Sequence, residues 1–419
     1  MILFSCKKED RTPAAVSILS PVQPPTYLFQ DWVEVEISAS DETGLREVTV
    51  SITDLQGRIA AGPKRVVLDG ETNYSGTLLF RFDDVQAESG QYILRAKASD
   101  GSNEGQDVLA CTLYGAQKEM TQLLVLRQPD SFTTQIDSLL GNNSLAPALS
   151  ISGQYTLGVS NSWFQRIHAA GRTTDGISTW EVPSLFFSQQ VVIPYGLGTS
   201  LYTDMCYDEN SHEVWVSSRD GIIRQIGSTG TILASFQAYF PQRIIAVGKY
   251  VYSYGFNGLN SRVIEVYLKS TGQLMQSFTL DFEVSELLPL ENEDRILVVR
   301  SGVSVSPMIP YERIGNYINV WTGFSSAPVG EILRACAHPQ GVVVAYSNGI
   351  RFHAFSGAAG ATSSQGYAPV QMAFQVNSPV LWLLEEDQLL ALQFGNGFTL
   401  AGTFPTGGNA RELVVVYNK

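Results

Sequence analysis

The chain is short of positive charge. Its 27 Lys and Arg stand against 40 Asp and Glu, a formal net charge of −13, and the bases nowhere cluster. A duplex-binding protein needs clustered cations to displace counterions, so no nucleic-acid partner is expected. An anionic membrane surface could hold such a chain only through a covalent anchor. Cysteine is scarce too. Cys6, Cys111, Cys206 and Cys336 are too few for a disulfide framework, and no two have metal-ligand spacing. Cys206 and Cys336 sit inside apolar strand patterns, where a thiol acts as a small buried hydrophobe. The four histidines, His168, His212, His338 and His353, are scattered one per segment. Neither a metal nor a cofactor is expected. No stretch after the first residues is long and apolar enough to span a bilayer. Apolar spacing of three and four is nowhere sustained, which removes long amphipathic helices. Phosphate loops, calcium loops, Gly-x-Ser-x-Gly and His-Glu-x-x-His are all missing.

What is present points to strands. The 419 residues suffice for two domains with substantial cores. Gly is frequent at 37 residues, and Ser/Asn-rich punctuation recurs every ten or so positions, as in proteins of many short strands. The expected fold class is all-β. Residues 14–115 read as seven short strands. Val33 to Ile37 and Val48 to Ile52 alternate apolar and polar, the pattern of a sheet with one face in water. Thr77 to Phe82, Tyr92 to Ala98 and Val108 to Leu113 continue it. Ser89-Gly90-Gln91-Tyr92 followed by Ala98-Ser99-Asp100-Gly101 is similar to the sixth strand of immunoglobulin-like modules. There a tyrosine near the strand start bonds back across a corner. Tyr92 is the candidate. The cysteine pair of antibody domains is absent, so the resemblance is to the wider immunoglobulin-like β-sandwich architecture and implies a spacer.

Residues 116–419 repeat weakly with a period of about 40–45. Asp204-Met205-Cys206-Tyr207, Arg243-Ile244-Ile245-Ala246 and Glu286-Leu287-Leu288-Pro289 open successive units, and Arg334, Gln371 and Arg411 open later ones. An earlier unit begins near Ala148-Leu149-Ser150-Ile151. Second strands such as Glu213 to Val216 and Val342 to Ala345 follow after turns, then third strands such as Val263-Ile264-Glu265-Val266. The order resembles WD40- and YVTN-like β-propellers, without the Trp-Asp dipeptide. It implies about seven blades. The last lacks strands before Lys419, while Thr121 to Arg127 and Phe132 to Ile136 belong to no other unit. Both ends are therefore expected to build one blade, leaving no open sheet edge. Thr173 to Trp180 resembles the Asp-box of sialidase-like propellers, a third-to-fourth strand turn of pattern Ser-x-Asp-x-Gly-x-Thr-Trp. Asp175, Thr179 and Trp180 match, and Ile177 replaces the glycine.

Residues 1–13 read as a tether. Leu3-Phe4-Ser5-Cys6 resembles the lipobox of bacterial lipoproteins, and the charged Lys7-Lys8-Glu9-Asp10 after it resembles the start of Bacteroidetes-type surface lipoproteins. The resemblance implies a lipid anchor on Cys6 and a place on the outer membrane. Only five residues precede Cys6, too few for an export signal. Either Met1 is not the true start or the leader lies upstream.

Aligning the inner strands puts Asp204, Arg243, Glu286, Arg334, Gln371 and Arg411 at one repeated position, ringing the mouth of the central channel. Charge at a buried position needs partners, which mutual salt bridges would supply. Aromatics are expected in loops of the same face: Phe186, Phe187 and Tyr195 in one, Tyr311 and Tyr317 in or beside another, and Phe256 in a shorter one. Aromatic faces stack on sugar rings while Arg and carboxylates bond hydroxyls. The function expected is binding of a polar ligand, a glycan foremost, with a protein-interaction scaffold as alternative. A glycosidase or lyase is a lesser one: it needs two facing carboxyls, and only position marks Asp204 and Glu286 for that role. The lipobox yields the first test. Radiolabelled palmitate should enter the protein in its native host and be lost with Cys6→Ala; equal labelling of both would end the lipoprotein reading.

Overall fold

The computed structural model describes residues 12–139, 144–171, 176–192, 202–227, 231–290, 295–303, 308–312, 317–318, 330–356, 360–375 and 377–419. The lipobox around Cys6 lies outside them. Every regular element among them is a strand, so no helix is long and apolar enough to cross a membrane. The chain divides into two units, residues 1–117 and 118–419.

The first unit has six strands where the sequence reading expected seven. Two of them are long: Trp32–Thr53 runs 22 residues and Ile59–Arg81 runs 23. The first contains both Val33 to Ile37 and Val48 to Ile52, joined through a bend that shifts the register between Ser40 and Leu45. Asp41 holds the bend, its Oδ1 accepting from Thr43 N at 2.7 Å and Gly44 N at 3.1 Å. Gly44 has φ +103°, and a Cβ there would stand 2.5 Å from the Gly70 carbonyl, so glycine is required. The alternation reads correctly as facing: Val33, Val35, Ile37, Val48, Val50 and Ile52 are buried in one core. Tyr92 donates its hydroxyl to the Glu88 carbonyl at 2.9 Å.

The second unit is a seven-bladed β-propeller. Its inner strands are Tyr155–Asn161, Tyr202–Asp208, Phe240–Val247, Val284–Pro289, Glu331–His338, Gln371–Phe374 and Ala410–Tyr417, here taken as the first to seventh blades. Each is the first strand of an antiparallel sheet of four; in the fifth blade a short strand, Gly302–Val303, adds to its inner edge. Each inner strand packs against the next, and the seventh packs against the first, closing the ring. Between blades lie apolar layers such as Tyr252, Ile264, Val266, Leu287 and Ile296. Cys336 belongs to one such layer and Cys206 packs against another, both as free thiols.

The seventh blade joins the two ends of the unit. Ala410–Tyr417 pairs with Met120–Arg127, which pairs with Thr133–Leu139 and then Leu145–Ser152. The segment around Ala148 is thus the outermost strand of the closing blade, and the first blade opens only at Tyr155. Period-2 alternation shows that a strand exists, not which sheet it joins. Nor is Thr173 to Trp180 an Asp-box turn. Asp175 lies outside the described residues, while Thr179 and Trp180 lie within the third strand of the first blade, Gly176–Glu181, ahead of any third-to-fourth strand turn. Trp180 meets Tyr155 edge-on at 5.8 Å, and Thr179 bonds His168 Nδ1 at 2.9 Å, both in the core.

Closure carries a prediction. Leu413, Val414 and Val416 of the closing strand are buried. At about 1.5–3 kcal/mol for each fully buried side chain, they represent about 5–9 kcal/mol, comparable with the roughly 5–15 kcal/mol that holds a whole domain folded. Deleting residues 410–419 should abolish the cooperative melt and cause aggregation through the exposed sheet edge. Deleting residues 1–117 should leave a monomer that still melts cooperatively. Circular dichroism and size-exclusion chromatography distinguish these outcomes, and the opposite pattern would refute the division.

Candidate functional site

The site begins with a backbone irregularity repeated around the ring. In six inner strands the pairing to the second strand skips one residue near the start: between Tyr155 and Leu157, Tyr202 and Asp204, Pro241 and Arg243, Val284 and Glu286, Ile332 and Arg334, and Ala410 and Glu412. An extra residue of this kind kinks a strand and re-aims the side chain beside it. Here the re-aimed residue is polar in five of the six and is Leu157 in the first blade; the sixth blade pairs without a skip, and Gln371 opens its inner strand.

These side chains reach from one blade to the next. Asp204 Oδ2 accepts from Ile244 N of the third blade at 2.8 Å. Arg243 Nε donates to the Ser285 carbonyl of the fourth blade at 3.1 Å. Glu286 lies between two guanidiniums, its Oε2 3.9 Å from Arg243 Nε and its Oε1 3.8 Å from Arg334 Nε. Arg334 Nε donates to the Val370 carbonyl, beside the sixth blade, at 2.8 Å. Gln371 Nε2 donates to Glu412 Oε1 of the seventh blade at 2.9 Å.

Five of the six residues expected at the mouth therefore stand at the repeated position: Asp204, Arg243, Glu286, Arg334 and Gln371. Arg411 does not. It is the residue skipped in the seventh blade, and it points outward to a loose surface pair with Glu386 at 3.8 Å. Glu412 takes its place. The signal that finds Glu412 is the buried residue two positions earlier. Tyr202, Val284, Ile332 and Ala410 are all buried, so the ring residue follows each by two.

The aromatic expectations fare differently. Phe256 is half-buried at the end of a second strand, two residues beyond Tyr254, which pairs with Arg243. It lies at the same end of the propeller as the ring. Tyr195 lies outside the described residues. Tyr311 is in the third strand of the fourth blade, paired with Ile296, whereas Glu286 pairs with Val299. Three strand residues, about 10 Å, separate the two levels, and Tyr317 pairs with Glu312 farther still from the ring. Phe186 and Phe187 begin the outer strand of the first blade and form no loop of the ring face. Consecutive aromatics at the head of an outer strand resemble an aromatic loop when only the sequence is read.

Enclosure sets the electrostatics. Burial pushes the Glu286 carboxyl up to about 7 against the pull of both guanidiniums. Burial also raises Glu412 to about 8, with Asp204 and Glu286 adding to the rise and the Gln371 amide opposing it. Asp204 is raised by burial as well, opposed by Arg243. Yet about a third of each arginine side chain and a fifth of Glu286 remain open to the channel. The η2 nitrogens of Arg243 and Arg334 have no hydrogen-bond partner among the described residues. The mouth thus offers free donors beside a carboxyl that is near its titration point at neutral pH. No group of three or more His, Cys, Asp and Glu among the described residues could hold a metal.

No family model matches the chain, and no curated protein matches it in sequence. Solved structures similar to it are β-propeller proteins. The dihydro-heme d1 dehydrogenase NirN is 9% identical, with a TM-score of 0.50 over 76% of this chain and 72% of its own. A quinonprotein alcohol dehydrogenase-like protein from Bacteroides thetaiotaomicron covers 96% of this chain and 99% of its own, at 10% identity and a TM-score of 0.46. A chain of the nidogen–laminin complex covers 71% of this chain and 99% of its own, at 8% identity and a TM-score of 0.41. At these identities the likeness concerns the fold alone.

The raised carboxyls give a pH prediction. Unfolded, both titrate near their ordinary 4.5; folded, they stay protonated to about 7 and 8. Across that window the folded chain holds more protons, so rising pH favours unfolding. The stability these groups contribute is full below about pH 4.5 and is lost as pH rises through the folded values. Glu412→Gln should flatten the fall in urea midpoint between about pH 5 and 8. Equal slopes for wild type and variant would show that Glu412 titrates normally.

Proposed function

We propose that this chain is a lipid-anchored binding protein of the outer membrane, taking a hydroxyl-rich ligand, a glycan foremost, at the mouth of the propeller channel. The observation that supports it is the pair of guanidiniums flanking Glu286, each fixed by a bond to the neighbouring blade and each with an unused η2 nitrogen. Fixed donors beside a carboxyl suit vicinal hydroxyls or an acidic substituent, because little side-chain freedom is lost when the ligand arrives. Phe256 at the same end offers a ring face for stacking. The first unit is read as an immunoglobulin-like sandwich acting as a spacer. The Tyr92 to Glu88 bond, which ties the strand back across its corner, favours that reading.

The test is a glycan array probed with wild type and with an Arg243→Ala, Arg334→Ala double variant whose circular dichroism is unchanged. Each lost charge-assisted bond is worth about 1.5–3 kcal/mol, so wild-type binding to acidic or hydroxyl-dense glycans should fall at least about tenfold. No binding by wild type, or equal binding by the variant, would leave the ring a structural device.

A further inference from the structure

Away from the channel, a cleft of about 440 Å³ lies between the second and third blades. Its volume is within the range of small-molecule sites, roughly 300–1,000 Å³. One wall is the turn at Asp220, which joins the second and third strands of the second blade. The segment linking the two blades supplies Tyr239, and the third blade supplies Phe240, Glu265, Tyr267 and Leu274. Tyr239, Phe240 and Leu274 are each about half exposed, so their apolar surface is available.

Glu265 sets this cleft apart. It is 2% exposed, in the middle of the third strand Arg262–Leu268, with Val263, Ile264 and Val266 around it. Its Oε2 accepts from Tyr267 Oη at 2.7 Å and from Tyr239 N at 3.1 Å, which fixes the carboxylate and the linking segment together. Its Oε1 has no hydrogen-bond or ion-pair partner among the described residues. Oε1 is not among the buried unpartnered atoms, so it is the oxygen that the otherwise enclosed carboxylate presents to the cleft. Among the described residues no lysine or arginine lines the cleft. Arg224, in the third strand of the second blade, is committed to Asp220 at 3.1 Å and to Ser218 Oγ at 2.6 Å.

We propose that this cleft binds a primary ammonium group carried on an apolar stem. One free oxygen cannot receive a guanidinium in its two-pronged geometry, because Oε2 already accepts two bonds, so a compact ammonium fits better. The ring faces of Tyr239 and Phe240 add cation–π attraction beside the carboxylate, and Leu274 and Ala238 pack the stem. Both a free organic amine and the side chain of a lysine in a partner protein have this chemistry. The site is separate from the channel ring and does not depend on its reading.

The experiment is calorimetric titration of the full chain with hexylammonium chloride, with hexan-1-ol as neutral control. A capped peptide with one lysine among leucines is compared with the same peptide bearing norleucine. Hexylammonium or the lysine peptide should bind saturably and at least about tenfold more tightly than its neutral counterpart, the worth of one charge-assisted bond. Which of the two binds more tightly identifies the source. Glu265→Gln, which keeps an acceptor for Tyr239 and Tyr267, should lower affinity by about tenfold. Should that variant fail to fold, Phe240→Ala changes an exposed side chain and should weaken binding severalfold. Absence of saturable binding by both cations, equal affinity for cation and neutral control, or binding unchanged in the folded variants would overturn the proposal.

Discussion

The propeller depends on how its blades are held to one another at the channel. Outside the fifth blade, an inner strand is paired on one side only, so its other edge has unused backbone groups. At the channel end of most blades, one skipped residue kinks the inner strand and turns a polar side chain toward the neighbour. That side chain then bonds a backbone group of the next blade or of the segment leading into it: Asp204 to Ile244 N, Arg243 to the Ser285 carbonyl, Arg334 to the Val370 carbonyl. All three contacts run from one blade toward the following one. The charges thus sit deep without being orphaned, and the apolar layers between blades are aligned from the channel outward.

The last junction is made differently. Between the seventh and first blades, Leu157 stands where other blades have a polar residue, and Gly158 lies against Val414 and Glu412. A Cβ on Gly158 would come within 2.9 Å of the Val414 side chain, so the two inner strands approach closely here. Ser160 donates to the Val415 carbonyl at 2.6 Å, and Gln165 Nε2 to the Tyr417 carbonyl at 2.6 Å. This is also the junction where the strands come from opposite ends of the unit. Side chain to backbone bonds and close backbone approach do there what the charged ring does elsewhere.

Much of this was legible from residues alone. Strands such as Val214 to Val216 and Val342 to Ala345 are so apolar that burial on both faces follows directly, and the unassigned Thr121 to Arg127 pointed to a blade built from both ends. The ring was legible at five positions because polar residues head apolar runs there. It failed at the sixth because Arg411 and Glu412 are both charged, and only the skipped pairing decides which one faces the channel. The long strand Trp32–Thr53 was read as two because its bend at Asp41 to Gly44 has the composition of a turn. Glu265 was hidden by its context. Within Val263-Ile264-Glu265-Val266 a carboxylate reads as the solvent-facing residue of an amphipathic strand, whereas the neighbouring blade covers that face.

The ring explains why a structural device and a binding site can share residues. Two guanidiniums face three carboxyls, and enclosure holds two of those carboxyls near 7 and 8. Were all three acids far below neutral, each guanidinium would be fully matched and the mouth would present a closed set of pairs. Burial weakens the charged form of Glu286 and Glu412, so near neutral pH less carboxylate charge faces the arginines than three ordinary acids would supply. Their positions are nonetheless fixed, since the Nε atoms are tied to backbone carbonyls whose charge never changes. Position is thus set by neutral acceptors at Nε and η1, while the η2 nitrogens keep their donors. That separation lets a salt-bridged ring remain open to an incoming hydroxyl or anionic group without loosening the blades it connects.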